Sequence, residues 1–360
     1  MPASSKAPAQ ARPHVGKTKG NHPLARYLVT RLGLSVLLVF GVTVVTFILT
    51  NLVPADPVQA ALGEQAAADP EIVARFREQA GLDKPLLVQY FTYVGRLLTG
   101  DLGTSNQTRL PVADEIGRAF PATAELALVA IVISIVIGVG LGMWAALRRR
   151  RPADHIIRAV SLIGLSVPTF WLALLMYYVF FFKLRVFPGS GRLSPAAIAP
   201  PKVTGLYTVD SILSGQMSTF WDALSHLILP ALVLALYTVG LLTRFARSSI
   251  LEVLNQDYIK AAKAKGLPFR VIIIRYVLRG ALVPIITIVG LAFGSLLSGT
   301  VLVEKVYAWH GLGEYAFTAA TKLDLPAVMG VGLIVGIVYI GINFIVDVLY
   351  GVIDPRVRIQ

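Results

Sequence analysis

The residues best placed to do chemistry lie in one short polar segment, residues 257–268, of a chain that is otherwise largely apolar. Asp257 is suited to cap a helix, because its carboxylate can accept a backbone N–H of the next turn. Alanine and lysine, both strong helix formers, dominate the residues that follow. Gly266 stands where a left-handed residue ends a helix, and Pro268 prevents its continuation. The segment therefore predicts a helix of about eight residues, roughly 12 Å long.

The chemistry that this helix offers is recognition of a partner protein. Helical spacing places an aromatic ring and a lysine beside two small side chains on one face, formed by Tyr258, Ala261, Ala262 and Lys265. Such a face permits close approach, and Lys260, Lys263 and Lys265 could pair with acidic residues of the partner. The alternative interpretation is a solvated basic loop that faces phospholipid.

No catalytic or nucleotide-binding pattern stands beside this segment. Gly16-Lys17-Thr18 resembles the end of a phosphate-binding loop, but Ala11 occupies the position of the required glycine and no strand precedes it. The chain has no cysteine, and its five histidines do not pair at helical spacing, so the sequence predicts no metal site. No nucleophile motif of the Gly-x-Ser-x-Gly type occurs. Energy for any uphill transport must therefore come from a partner.

The composition is that of a membrane protein. Of 360 residues, 55% are hydrophobic and only 15% are charged, compared with about 25% in soluble domains. Apolar runs long enough to cross a bilayer predict an all-α membrane protein with six spans. The spans cover approximately residues 32–53, 122–147, 156–182, 224–243, 283–303 and 328–350, and the third is interrupted near Pro168. Three spans carry glycine pairs that allow close helix packing, at Gly138/Gly142, Gly290/Gly294 and Gly332/Gly336.

The distribution of lysine and arginine orients these spans. Most of the basic residues lie in the N-terminal tail, in the second-to-third and fourth-to-fifth connections and at the C-terminal end, which places both termini in the cytoplasm. The net charge of +13 is then mainly a topology signal and argues against nucleic acid as a partner. Residues 1–26 are predicted to be a disordered basic tail. Residues 244–282 form the most basic cytoplasmic connection.

The first outer connection, residues 54–121, is predicted to be folded. Asp69-Pro70 is typical of a helix start, and Gly81 of its end. A second helix is predicted from about Pro85 to Leu98, a turn at Gly100-Asp101-Leu102-Gly103, and a third short helix over residues 111–120. Few ionisable residues occur within the spans. Glu125 lies near the start of the second span. Asn343 and Asp347 of the sixth span are interpreted as packing or interface positions, because a proton relay needs more such groups.

Several ordered motifs from about Tyr27 to Ile359 resemble the permease subunits of ATP-binding-cassette importers, specifically the dipeptide, oligopeptide and nickel group. These motifs are Leu52-Val53-Pro54-Ala55-Asp56-Pro57, Gly81-Leu82-Asp83-Lys84-Pro85, Gly100-Asp101-Leu102-Gly103, Pro121-Ala122-Thr123-Ala124-Glu125-Leu126, Pro168-Thr169-Phe170-Trp171, Glu304-Lys305-Val306-Tyr307 with Gly311-Leu312-Gly313, and Asp354-Pro355-Arg356. The resemblance implies a type I importer fold for residues 27–360, in a bacterial or archaeal cytoplasmic membrane.

The polar segment resembles the cytoplasmic coupling motif of that family. Ala261, Ala262 and Gly266 match its pattern, Lys260 stands where the family has glutamate, and Pro284 is the nearest candidate for its final proline. In the family this helix sits in a groove of the ATPase subunit. The resemblance therefore assigns ATPase coupling to Asp257, Tyr258, Lys260, Ala261, Ala262, Lys263, Lys265 and Gly266.

The resemblance also implies the partners. They are a second related permease subunit, two ATPase subunits (or a fused one) that hold ATP and Mg, and an extracytoplasmic substrate-binding protein that docks on outer segments 54–121, 183–223 and 304–327. No cofactor is expected in this chain itself. Peptides are the first expectation for cargo, with nickel complexes, glutathione and oligosaccharides left open. An ion-driven secondary transporter and a membrane scaffold or receptor are the alternatives of other classes.

Overall fold

The computed structural model describes residues 23–52, 68–81 and 83–353, and these residues form thirteen helices. In chain order the helices are α1 Pro23–Leu52, α2 Pro70–Ala80, α3 Leu86–Leu98, α4 Val112–Leu147, α5 Pro152–Ser166, α6 Thr169–Lys183, α7 Tyr207–Leu213, α8 Met217–Leu254, α9 Asp257–Ala264, α10 Phe269–Gly299, α11 Val301–Tyr307, α12 Leu312–Thr321 and α13 Leu325–Ile353. Most of the predicted tail 1–26 and the motifs at residues 52–57 and 354–356 lie outside the described residues. Residues 23–26 are helical, contrary to their assignment to the tail.

Five helices, α1, α4, α8, α10 and α13, are long and apolar enough to cross a membrane. The predicted third span consists of two helices, α5 and α6, which meet at 99°. Pro168 has no N–H to continue α5 and holds an extended-type backbone between the two helices. Counting the bent pair as one span gives the six that the sequence predicts.

The helices of the second, fourth and fifth spans begin before their predicted starts, and the fourth also continues past its predicted end, whereas the fifth ends at Gly299 instead of residue 303. The segment 111–120, predicted as a separate helix, is the first part of α4, although Pro121 follows within the same helix. Proline removes the bond to the carbonyl four residues earlier, and the Lys202 ammonium donates to that carbonyl, on Gly117, at 3.2 Å. Likewise α8 continues to Leu254 and α10 begins at Phe269, so the predicted coupling connection 244–282 is mainly helical.

The described part of the first outer connection confirms its predicted helices. The Asp69 carboxylate accepts the N–H of Glu71 at the start of α2, and Gly81 ends that helix with a φ of +68°. α3 covers Leu86–Leu98. The turn after it is confirmed by the bond from the Gly103 N–H to the Asp101 carboxylate at 2.8 Å.

The three predicted glycine pairs all lie where helices touch. A Cβ on Gly138 would lie 2.8 Å from Leu242, and one on Gly142 would lie 2.8 Å from the Thr243 carbonyl oxygen, so α4 packs tightly on α8. The second pair packs α10 against Val346 and Tyr339 of α13, and the third packs α13 against Thr46 and Val42 of α1. Helix α8 lies at the centre of the bundle, because 67% of the residues in its apolar 18-residue segment are buried. In the corresponding segment of α1 only 6% are buried.

Candidate functional site

Helix α9 is the predicted eight-residue helix, and its first turn differs from the prediction. Gln256 occupies the N-cap position, without a side-chain hydrogen bond, and Asp257 is the first helical residue. The N-cap role proposed for Asp257 is therefore wrong. The Asp257 carboxylate instead accepts a bond from the Lys260 ammonium one turn later, at 2.8 Å. Both side chains are exposed, so solvent screens this pair and it adds little stability.

The end of α9 is built as the sequence predicts. Gly266 has a φ of +72°, in the left-handed region that favours glycine. The Gly266 N–H donates to the Lys263 carbonyl at 2.9 Å, and the Leu267 N–H donates to the Ala262 carbonyl at 3.3 Å. These two bonds form a Schellman turn, which satisfies carbonyls that a helix end would otherwise leave free. The chain then enters α10 through Pro268.

The predicted contact face of α9 is divided between the interior and the surface. Ala262 is only 5% exposed and Ile259 is fully buried, and both pack in one cluster with Ile250, Val277 and other residues of α8 and α10. The interpretation of Ala262 as a partner contact is therefore wrong, because its methyl group holds α9 on its own protein. The other members of the set remain at the surface, with Tyr258, Ala261 and Lys265 all exposed.

The outer part of α9 is also fitted to α10. A Cβ on Gly280 would lie 2.8 Å from the Tyr258 hydroxyl oxygen and 3.1 Å from the Val253 side chain. The absence of a side chain at Gly280 thus makes room for the tyrosine. Helix α9 consequently rests on α8 and α10 through Ile259 and Ala262 beneath it and through Tyr258 at its edge, while the three lysines stay accessible.

A buried ion pair that sequence reasoning did not identify ties α5 to the end of α8 that precedes α9. The Asp154 carboxylate, 1% exposed, accepts two bonds from the Arg247 guanidinium, at 2.7 and 2.9 Å. It also accepts the Arg150 N–H at 3.1 Å. A single acidic residue three positions after the run of four arginines was the signal that could have found it.

The outer motifs of the resemblance meet around Glu304. This fully buried carboxylate accepts bonds from the hydroxyls of Thr123 and Thr300, at 2.5 and 2.7 Å, and from the Glu314 N–H at 2.9 Å. Gly311 and Gly313 lie so close to it that neither has room for a Cβ. Residues far apart in sequence therefore form one closed hydrogen-bonded cluster that joins α4, α11 and α12.

A second buried carboxylate, Glu125, lies two residues after Thr123 on α4. It accepts bonds from the Arg192 guanidinium at 2.7 Å and from the N–H and hydroxyl of Thr208 at 2.7 and 2.6 Å. The guanidinium also lies over the Tyr207 ring at 3.7 Å. Glu125, for which the sequence indicated no particular role, thus attaches Arg192 and the start of α7 to the bundle.

The neighbouring Asp210 organises the loop that leads into α7. Burial alone would raise the pKa of this carboxyl, but hydrogen bonds from Thr204, Gly205 and Val203 outweigh it and hold the pKa below its usual range. The carboxylate thus binds three successive backbone N–H groups and fixes the fold of an outer loop.

The two polar residues interpreted in the sixth span differ, since Asp347 contacts another helix and Asn343 bonds to the backbone of its own helix. Asp347 of α13 forms an ion pair with Arg31 of α1 at 3.2 Å, and Asn343 donates to the Tyr339 carbonyl at 3.0 Å. Within the described ranges, no group of three or more histidine, aspartate or glutamate side chains is arranged to hold a metal ion. Two accessible features remain as candidate sites. One is the basic surface of α9, formed by Lys260, Lys263 and Lys265, and the other is the set of outer loops.

Comparison with known families matches almost the whole chain. Residues 138–359 match the family described as "Binding-protein-dependent transport system inner membrane component", and residues 24–127 match the N-terminal region of the same type of membrane component. The first match covers α8, α9 and α10, and the second covers α1 to α3 and the outer connection. Both the basic surface and the outer motifs therefore fall inside the matched regions.

Curated bacterial proteins are similar over nearly their full length. A probable D,D-dipeptide transport system permease protein (DdpB) of Escherichia coli is 46% identical over 89% of this chain and 94% of its own. A di/tripeptide transport system permease protein (DppB) of Pseudomonas aeruginosa is 43% identical over 93% of this chain and 99% of its own. The dipeptide transport system permease protein (DppB) of Escherichia coli is 37% identical over the same shares of the two chains.

Proposed function

Because the chain belongs to the family of binding-protein-dependent transport system inner membrane components, we propose that it is the permease subunit of an ATP-driven importer of di- or oligopeptides. It would form the translocation path together with a second, related permease subunit, in a type I fold with six spans and both termini in the cytoplasm. Peptide cargo is supported by the names of relatives that are 46%, 43% and 37% identical. Nickel complexes, glutathione and oligosaccharides are the cargoes to test against it.

The observation that carries the proposal is the packing of α9 against α8 and α10. A short helix with three exposed lysines is held on the bundle by the buried side chains of Ile259 and Ala262. A displacement of α9 by a partner must therefore also displace α8 and α10, because the side chains between these helices are closely packed. This is the arrangement needed to pass the closure of an ATPase dimer to membrane helices.

In this mechanism two ATPase subunits bind and hydrolyse ATP with Mg, and the permease supplies no catalytic group. One of the two ATPase subunits would receive α9 in a groove, with Tyr258 and Ala261 in the contact and Lys260, Lys263 and Lys265 paired with acidic residues at its rim. Closure of the ATPases would push α9 and change the bundle from inward-open to outward-open. An extracytoplasmic binding protein would then release its cargo over the outer segments 54–121, 183–223 and 304–327.

The test is reconstitution of the complete transporter in lipid with its binding protein. We expect ATP hydrolysis to rise when the binding protein carries di- or oligopeptides, and to stay basal with glutathione, a nickel complex or an oligosaccharide. Stimulation by one of those ligands alone would replace the peptide assignment. An ion-driven secondary transporter is tested in the same vesicles with hydrolysis-deficient ATPase subunits, since uptake that persists there would contradict ATP-driven import altogether.

A further inference from the structure

Helix α3 leaves an apolar stripe uncovered. Leu87, Phe91 and Leu98 are 73%, 68% and 84% exposed, and their spacing of four and seven residues places them along one side of the helix. Thr92 and Arg96 lie on the opposite side. An exposed apolar stripe of this length on a water-facing helix would promote association, so the stripe requires an apolar environment.

The neighbouring edge of α3 is attached to the peripheral helix α1. The Tyr90 hydroxyl is hydrogen-bonded to the Thr43 hydroxyl at 2.8 Å. The Tyr90 and Tyr93 rings contact the Phe47 ring with centroid distances of 5.4 and 5.9 Å. Each of the two tyrosines is 9% exposed, so the contact is dry and fixes α3 to one level of α1.

That level lies inside the membrane-crossing part of α1. Helix α1 continues to Leu52, nine residues beyond Thr43. At 1.5 Å per residue, the hydroxyl pair lies roughly 14 Å before the end of the helix. Helix α3 is therefore attached to α1 beside its apolar part, and a helix that lies on a membrane buries its apolar face at such a level.

The surface of α1 next to this contact is itself apolar and exposed. Only 6% of the residues in the apolar 18-residue segment of α1 are buried, and Val45, Ile48 and Leu49 are 55%, 49% and 59% exposed. The stripe of α3 therefore continues the exposed apolar surface of a membrane-crossing helix. This continuity favours acyl chains over a soluble protein as the occupant.

We propose that α3 is an interfacial helix, with Leu87, Phe91 and Leu98 embedded among the acyl chains of one bilayer leaflet. The leaflet is the outer one if the orientation proposed above is correct, but the contact with lipid does not depend on transport or on cargo. Helix α3 then holds the first outer connection at the membrane surface beside α1.

The natural absence of cysteine makes a direct test possible in the complete transporter in lipid nanodiscs. A nitroxide is attached to single cysteines that replace Leu87, Phe91, Leu98, Thr92 or Arg96, with Leu38 of α1 as the lipid control and Arg75 of α2 as the water control. The accessibility of each label to molecular oxygen and to a water-soluble nickel chelate is measured by power saturation, with and without the binding protein.

We expect the ratio of oxygen to chelate accessibility to be several-fold higher at the three stripe positions than at Thr92 and Arg96, and to resemble that at Leu38. A ratio at the stripe like that of Arg75 would place α3 in water and overturn the proposal. Low accessibility to both reagents, whether constant or induced by the binding protein, would also overturn it, because a protein would then cover the stripe. Every substituted position is exposed, and wild-type ATPase activity verifies the fold of each variant.

Discussion

Replacing Gly266 with valine tests the coupling role of α9 with the least change to the rest of the protein. The φ of Gly266 is +72°, and a Cβ at this position would meet no atom within 4 Å. The substitution therefore introduces backbone strain and no collision. A β-branched side chain is especially unfavourable in the left-handed region, so the turn that carries the chain from α9 to α10 must open or store strain.

The magnitude follows from the backbone. A non-glycine residue pays roughly 1–2 kcal/mol in the left-handed region, which disfavours the native turn about 5- to 30-fold. If the turn opens, the bonds from Gly266 to Lys263 and from Leu267 to Ala262 are lost as well, each contributing about 0.5–1.5 kcal/mol. Such a loss is small for a bundle of long helices and large for an eight-residue helix. We therefore expect normal membrane levels and an altered position of α9.

The assay compares peptide uptake and stimulated ATP hydrolysis in vesicles that contain equal amounts of transporter. We expect Gly266→Val to abolish most uptake and to uncouple hydrolysis from the binding protein, while Gly266→Asn, which tolerates the left-handed region, keeps much of both. Gly100→Val is the matched control, since Gly100 has a φ of +80° and also meets nothing within 4 Å, but lies in the outer turn. Normal uptake by Gly266→Val, or an equal loss in Gly100→Val, would refute the coupling role.

Three further substitutions probe the contacts around this site. Gly280→Val should displace the Tyr258 side chain and reduce uptake. Gly299→Val in the same helix is the control and should leave uptake unchanged, because a Cβ there meets nothing within 4 Å. Equal uptake in the two variants would contradict the contact between Tyr258 and Gly280. Asp154→Ala strands the Arg247 guanidinium and should cost about 3 kcal/mol of stability, at the lower end because the arginine side chain is 20% exposed. Thermal unfolding of Asp154→Ala, Arg247→Ala and the double variant measures this loss of stability. Additive effects of the two substitutions would argue against the ion pair. Glu304→Ala should lower membrane levels by leaving two buried hydroxyls unpaired, with partial recovery in Glu304→Gln, and unchanged levels in the alanine variant would contradict the cluster.

Local sequence signals predicted those features that depend on neighbouring residues. The left-handed turn at Gly266, the Asp69 cap and the packing of glycine pairs such as Gly138/Gly142 are each decided within a few residues. The buried face of α9 was not predictable in the same way, because one helical turn of periodicity does not show which side meets the bundle. Ile259, the single branched aliphatic residue of α9, was the available clue.

The long-range contacts of the site were beyond such reasoning for a different reason. Asp154 and Arg247 are 93 residues apart, and Thr123 and Glu304 are 181 apart. Each side chain alone is an ordinary polar residue at the edge of a span. The family motifs marked several of these positions as a set. Only the fold brings Glu304 together with Thr123, Gly311 and Gly313.

The way in which α8 is held indicates how a push on α9 would spread. On the α4 side, Gly138 and Gly142 leave no space for sliding, and on the α5 side the Asp154–Arg247 pair fixes the end nearest α9. Close-packed contacts of this kind shift as units and do not deform continuously. Helix α1 is joined elsewhere, to α13, and most of its surface is open to lipid. We therefore expect α4, α5, α8 and α10 to move together during coupling, while α1 and the attached α3, which reach α10 through α13, move less.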